Sequence, residues 1–399
     1  MCASPPRPSG ELRLVAGDYS IDSIFVYGLD ACENRTMIEG VEWSDIGERV
    51  RECRLAAGWS QDDLAREIGL ERTKIAKIES GDRRVDALEL ARLSSALGVP
   101  MGHFLHRRPQ VLSRRAQLVD DNNTGAARQA YRLEAELLAW LRDVRQLVEL
   151  GELQLKPMLT YARAVQDADA AREAALWTRE QLGLQFEPIE TLMSVCEQAG
   201  QLVLVTNLAG EGASLVDGDV AVAVVSRQPD PGRRRTTAAH ELGHMVLGDE
   251  YSTDLGVATS RADRENIVDV FAAEFLLPTG VVAKAAGGGD LRDALTRLAA
   301  TYRTSWSLAV RQACRAGVVD PGLVGKWSSV APTRAELREA VGWAPQADLE
   351  AVRVPPSYAH AVMQAWKGDF ITSDRAVELM HGQIAIDDLP AKPDGELEL

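Results

Sequence analysis

The spacing of apolar positions changes character along this chain. Over residues 44–108 apolar side chains recur at three- and four-residue steps in short runs, each closed by a turn signal. That predicts a string of short amphipathic helices. Residues 127–150 carry a longer helical pattern, with Leu137, Leu141, Val144 and Val148 at a 4-3-4 spacing. Such a stripe belongs in a core or on a docking face. With fewer than three clean heptads, a coiled-coil dimer seam is the weaker reading. Past Asp167 the pattern becomes mixed. Helices are expected over 167–182 and 188–199, followed by two Val-rich runs, "QLVLVTN" and "DVAVAVVS", which are short and bounded by turn residues and so predict strands. Further helices are expected over 236–247, 261–277 and 290–316. Short helices continue over 327–389, and "PAKPDGELEL" reads as a frayed end.

The fold class expected is therefore mostly α with an α+β part. Residues 1–43 form a poorly ordered extension, rich in Pro, Gly and Ser at its start. Residues 44–109 form a five-helix domain and 110–166 a helical linker. Residues 167–326 form a domain with a small sheet, and 327–399 a small helical region. At 399 residues and 46% apolar content the chain can fill two or three cores.

Composition narrows the setting. Five cysteines are scattered and never form CxxC, which argues for reduced thiols and a cytoplasmic location. No run approaches eighteen apolar residues, so no membrane partner is expected, and the first twenty residues lack the apolar core of a signal peptide. A net charge of −15 excludes a surface that binds nucleic acid everywhere. Any contact with DNA must be local.

Such a site is offered by "GWSQDDLAREIGLERTKIAKIESGDRR". Ser60 caps a helix whose first turn carries Gln61, Asp62 and Asp63, suited to the positive end of the helix dipole. Gly69 closes it, and a turn leads into a second helix over 72–80 that Gly81 ends. Two short helices at a tight turn form a helix-turn-helix, whose second helix fits a major groove. Arg72, Thr73 and Lys77 lie on its exposed face, while Ile75 and Ile78 point to the core. Between Ile46 and Pro109, twelve Lys/Arg against ten Asp/Glu leave +2, so the rest of the chain carries −17. A near-neutral module can contact phosphates, with steep salt sensitivity.

A second constellation is "RRRTTAAHELGHMVLGDE". On a helix His240 and His244 stand one turn apart on one face. Glu241, about 100° round, can address a metal's water without ligating the metal. Two imidazoles and one carboxylate would hold Zn2+ with an open fourth position, lower its water to a pKa near ~7, and leave Glu241 to take the proton as general base. Gly243 keeps the helix slim beside the site. For the third ligand, the next helix offers Glu265 and Asp269 on one face, and Glu274 about 180° from Glu265. Glu265 is the expected ligand. Asp269 is expected to accept the far ring N–H of a histidine, and Glu274 reads as a solvated charge. His381 reads as structural.

Both constellations carry family resemblances. The first, with its closing "LELARLSSALGV", resembles the Cro/CI-type (XRE-like) helix-turn-helix repressors over about 60 residues. That likeness implies double-stranded operator DNA as partner, Gln61 on a phosphate, and Arg72, Thr73 and Lys77 at base edges. The second, through "LGLQFEPIETLMSVCEQAGQLVLV", "RRRTTAAHELGHMVLGD" and "ENIVDVFAAEFLLP", resembles the ImmA/IrrE zinc metallopeptidases. It places the family's histidines on His240 and His244, its general base on Glu241 and its carboxylate ligand on Glu265. Asp269 stands where the family commonly has Asn. The likeness implies a zincin-like domain that cuts a helix-turn-helix repressor, with "DVAVAVVS" as the sheet edge that takes an extended substrate. Three functions compete at this point: an active protease guided to DNA, a transcription factor whose peptidase domain senses a ligand or partner, and an antitoxin-like binding protein. A homodimer is expected, to match a palindromic operator.

Overall fold

The computed structural model describes residues 42–105, 113–114, 125–248, 258–288, 290–342 and 348–390. The expected extension 1–43 and the frayed last residues fall almost wholly outside them.

Five helices, Trp43–Ala56, Gln61–Ile68, Arg72–Glu79, Ala87–Leu97 and Gly102–Leu105, build the first unit. Their ends follow local chemistry. Ser60 and Asp63 exchange side chain-to-backbone hydrogen bonds in a capping box, as do Asp86 and Glu89. Gly69, at φ 71°, ends the second helix in the left-handed conformation. Ile46, Val50, Leu64, Ile75, Ile78, Leu93 and Phe104 fill the core.

A four-stranded sheet organises the rest: β1 (Ser113–Arg114), β2 (Gln201–Thr206), β3 (Gly212–Asp217) and β4 (Val220–Ser226), in the order β1-β3-β4-β2. β2 and β4 run parallel, while β3 is antiparallel to β4 and to β1. β4 is therefore interior. The expectation that "DVAVAVVS" is the open edge is corrected, because both of its sides are paired, and a strand absent from the sequence reading, β3, lies outside it.

The period-2 alternation sorts two cores. Val203, Val205, Ala221, Ala223 and Val225 face one layer, formed by helices Ala168–Gln181, Leu192–Gln198, Pro231–Leu247, Ala258–Leu276, Leu291–Thr301 and Trp306–Arg315. Leu202, Leu204, Val220, Val222 and Val224 face the other, formed by helices Gly125–Glu149, Pro356–Lys367 and Ser373–Leu379. Leu137, Leu141 and Val144 of the long helix are buried there, at about 1.5–3 kcal/mol for each such side chain. The stripe is thus core, not a dimer seam. The same helix reaches the first unit, where Tyr131 and Ala135 join its core.

Two helix expectations need correction. The single helix over 290–316 is two, broken at Arg303, which takes a left-handed φ of 53°, and restarted by the cap of Ser305 onto the Leu308 N–H. The helix expected from Thr236 begins five residues earlier, where Asp230 caps it and Pro231 occupies the first turn.

Candidate metal centre and nucleic-acid interface

Helix Pro231–Leu247 is buried almost throughout and is pinned at its polar positions. Arg235 is fully buried. It pairs with Asp348 and donates to the Ile189 carbonyl at 2.7 Å. Gly243 lies where a Cβ would come within 2.8 Å of Phe271 and 3.0 Å of Val268. Its missing side chain lets helix Ala258–Leu276 approach, and that approach carries Glu265 to the histidines.

The convergence is tight. His240 Nε2 lies 3.0 Å from His244 Nε2 and 3.0 Å from Glu265 Oε2, and His244 Nε2 is 3.8 Å from the same carboxylate oxygen. All three donor atoms fall within 4.8 Å of one another. A tetrahedral ion with bonds of ~2.0–2.1 Å separates its ligand atoms by about 3.3 Å, so this set fits zinc. The two Nε2 atoms stand at hydrogen-bond distance, so either one ring donates to the other or both lone pairs turn to a shared cation. On the far side of the ring, His240 Nδ1 is 2.8 Å from Asp269 Oδ1.

Glu241 is fully buried next to this cluster. Its Oε2 accepts the Ser214 hydroxyl at 2.7 Å, while Oε1 has no hydrogen-bond partner among the described residues. Its backbone carbonyl accepts the Gln201 side-chain amide at 3.0 Å. Sequence reasoning missed Ser214 and Gln201. The signal available for Gln201 was an amide opening the apolar run "QLVLVTN"; Ser214 offered none, because "GASLVD" does not read as a strand.

Glu274 is not a solvated charge. It is 1% exposed, and its carboxylate accepts from the Thr279 N–H at 2.9 Å, the Thr279 hydroxyl at 3.0 Å and the Gln312 amide at 3.0 Å. It ties its own helix to the next ones and lies away from the histidines.

In the five-helix unit, Arg72, Thr73 and Lys77 are exposed on one side of helix Arg72–Glu79, while Ile75 and Ile78 are buried beneath. Behind it, Arg54 and Glu79 pair at 2.6 Å, and Glu79 also takes the Gln61 amide at 2.8 Å. Gln61, expected on a phosphate, is thus oriented by Glu79 at the end of helix Arg72–Glu79. Arg83 pairs with Glu89 at 2.7 Å. The hydrogen bond from Arg83 holds the Glu89 carboxyl below the usual carboxylate range, against the opposing effect of burial.

Comparison with known proteins gives two matches on this one chain. Residues 50–104 match the helix-turn-helix family, and residues 196–312 the IrrE N-terminal-like domain. An uncharacterized transcriptional regulator in the ATPase CF(0) region of Rhodospirillum rubrum is 41% identical over 59 residues, 15% of this chain and 55% of that protein. An SPbeta prophage-derived regulator of Bacillus subtilis, YonR, is 40% identical over 60 residues, 15% of this chain and 56% of its own length. The control protein C.BamHI of Bacillus amyloliquefaciens is 44% identical over 55 residues, 14% of this chain and 68% of that protein. The chain spans about half the length of the first of these relatives. No solved structure matches it. No single helix among the described residues is long and apolar enough to cross a membrane.

Proposed function

Because the chain belongs to the XRE-like helix-turn-helix transcriptional regulators and carries an IrrE-like peptidase domain in the same polypeptide, we propose that it is a cytoplasmic regulator with zinc metalloendopeptidase activity. Its substrate is a helix-turn-helix repressor, and its own DNA-binding half brings the peptidase to an operator. The observation that carries this reading is the convergence of His240, His244 and Glu265 beside a buried Glu241 with one unspent carboxylate oxygen.

Zinc bound there would supply a Lewis acid that polarises a peptide carbonyl and acidifies water at neutral pH. The chain's residues do the rest. Asp269 holds the proton of His240 on Nδ1 and so turns the Nε2 lone pair toward the centre. Ser214 fixes one oxygen of Glu241, leaving Oε1 to accept a proton from attacking water. Gln201 ties the turn bearing Glu241 to β2. On the other half, Arg72, Thr73 and Lys77 reach base edges, and two copies of the chain match a palindromic site.

The burial of His240, Glu241 and His244 favours a second reading, in which the domain senses a ligand or a protein partner without turnover, as a transcription factor or antitoxin-like protein would. One experiment separates them. Glu241→Gln keeps every proposed ligand, whereas His240→Ala removes one; both are assayed on one reporter with blots for the cleaved repressor. A protease predicts that Glu241→Gln leaves the repressor intact and the genes unresponsive. A sensor predicts that Glu241→Gln regulates like wild type and only His240→Ala fails.

A further inference from the structure

Away from the histidines, one short loop is held more firmly than its exposure requires. Residues 185–187 follow helix Ala168–Gln181, and all three of their carbonyls accept a hydrogen bond. The fully buried Arg179 donates from Nε to the Gln185 carbonyl at 2.6 Å and from Nη2 to that of Glu187. The Tyr302 hydroxyl donates to the Phe186 carbonyl at 2.6 Å. Gln185 is kept at a left-handed φ of 44°, which a residue with a side chain adopts only where its surroundings impose it. What this clamp displays is apolar, because Phe186 is 56% exposed. The backbone has given up its freedom and the ring is still in water. That is the state of a preorganised anchor.

Phe186 borders a groove of about 710 Å³ that Tyr161, Leu176 and Trp177 also line. The Tyr161 and Trp177 rings meet edge to face, with 5.2 Å between centroids. Helix Ala168–Gln181 sets the arrangement. Ala171, Ala174, Ala175 and Thr178 are buried on its inner side, so Glu173, Leu176, Trp177 and Glu180, at helical spacing, share the outer one. The carboxylates of Glu173 and Glu180 thus flank the apolar pair, exposed and without an ion pair among the described residues. Arg163 is the single basic residue among the described lining residues. Two carboxylates against one guanidinium leave the groove acidic, in a chain of net charge −15. That balance selects against nucleic acid and against a second copy of the chain, and for a basic partner. Lys or Arg suits it twice over, since the charge meets a carboxylate while the side chain lies on the face of Trp177.

We propose that Tyr161, Leu176, Trp177 and Phe186 form a docking groove for a segment of another protein that presents an apolar side chain next to a Lys or Arg, with Glu173 and Glu180 selecting the basic residue. The wall carrying Tyr161 is tied to both helices of the candidate metal centre. Tyr161 N–H donates to the Val246 carbonyl at 2.8 Å, two residues beyond His244, and Arg264, next to Glu265, donates to the Val165 carbonyl. Docking stands whether or not that centre turns over.

The probe is a display library of short random peptides, selected on the immobilised full chain and counter-selected on the full chain carrying Phe186→Ser. Enriched peptides should share an aromatic or branched apolar residue beside Lys or Arg. A fluorescein-labelled peptide from that set, titrated by fluorescence polarisation, should lose about three- to tenfold in affinity when the chain carries Glu173→Lys with Glu180→Lys, as for exposed charge pairs. A charge swap then guards against misfolding. The same peptide with its basic residue changed to Glu should bind that charge-reversed variant more tightly than it binds wild type, a gain that a damaged fold cannot produce. No enrichment over the counter-selection, enriched peptides without a basic residue, or a swap that restores nothing overturns the proposal. So does self-association of the peptide-free chain that Phe186→Ser abolishes, read by sedimentation, because the occupant would then be a second copy.

Discussion

The Nδ1 of His240 lies 2.8 Å from Asp269 Oδ1, while the Nε2 of the same ring lies 3.0 Å from Glu265 Oε2. One imidazole is therefore gripped by two carboxylates four residues apart on a single helix. In the proposed centre the first would fix its tautomer, and the second would share the ion with it. This relationship separates the roles of the acidic residues and makes them testable one at a time.

Metal content is the first expectation. Purified protein carries about one zinc per chain, and His240→Ala or His244→Ala loses it, as read by elemental analysis. A wild type that is metal-free and takes up no added zinc would remove the zinc proposal outright.

The carboxylates should divide by function. Glu265→Ala weakens zinc binding strongly, and Asp269→Ala by about 10–100-fold, as for a residue that acts through a histidine. Glu274→Ala keeps the metal but strands the donors of Thr279 and Gln312, at about 1–3 kcal/mol of stability. Competition with a chromophoric chelator reads the first two, and urea unfolding the third. Metal loss in Glu274→Ala with retention in Glu265→Ala would reverse the assignment.

On DNA, Arg72→Ala and Lys77→Ala should each cost about 1–3 kcal/mol at the chain's own operator, if each makes a good base contact. Gln61→Ala should weaken all sequences about equally. Footprinting upstream of the chain's own gene supplies the operator, and mobility shifts measure the losses. Unchanged binding in both recognition-helix variants would mean that another surface reads the groove.

Acid should loosen the DNA-binding half through Glu89. Its carboxyl is held low in the folded state by Arg83, so the stabilisation is complete above the unfolded carboxyl pKa of about 4.3 and is lost as pH falls through the lower folded value. Arg83→Met removes that depression, so protection of amides over 86–97 should fade at higher pH than in wild type. Hydrogen exchange followed by mass spectrometry reads the shift. Identical acid profiles would show that the pair contributes nothing.

What the sequence revealed was local. The ends of the second helix were legible because each carries its own chemistry, Ser60 at one end and Gly69 at the other. The shared face of Glu265 and Asp269 followed from helical phase alone. The rest depended on partners far along the chain. "GASLVD" holds Gly, Ala and Asp, weak strand formers, so β3 escaped notice, and with it the pairing that makes β4 interior. Glu274 looked like a surface charge because the amide that buries it, Gln312, is 38 residues away. Arg303 breaks a helix with neither Gly nor Pro to announce it.

The long helix Gly125–Glu149 bears on how such proteins can be cut and recombined. Tyr131 on that helix meets His103 Nε2 at 2.6 Å and takes the Cys53 thiol hydrogen bond at 3.2 Å, while Ala135 is buried in the same core. A fragment ending at residue 109 would lose both and expose the floor beneath Phe104. The exchangeable module for grafting a new DNA specificity onto this chain is therefore the recognition surface alone, Arg72 to Lys77. A whole-domain swap would have to carry the first turns of the long helix along with it.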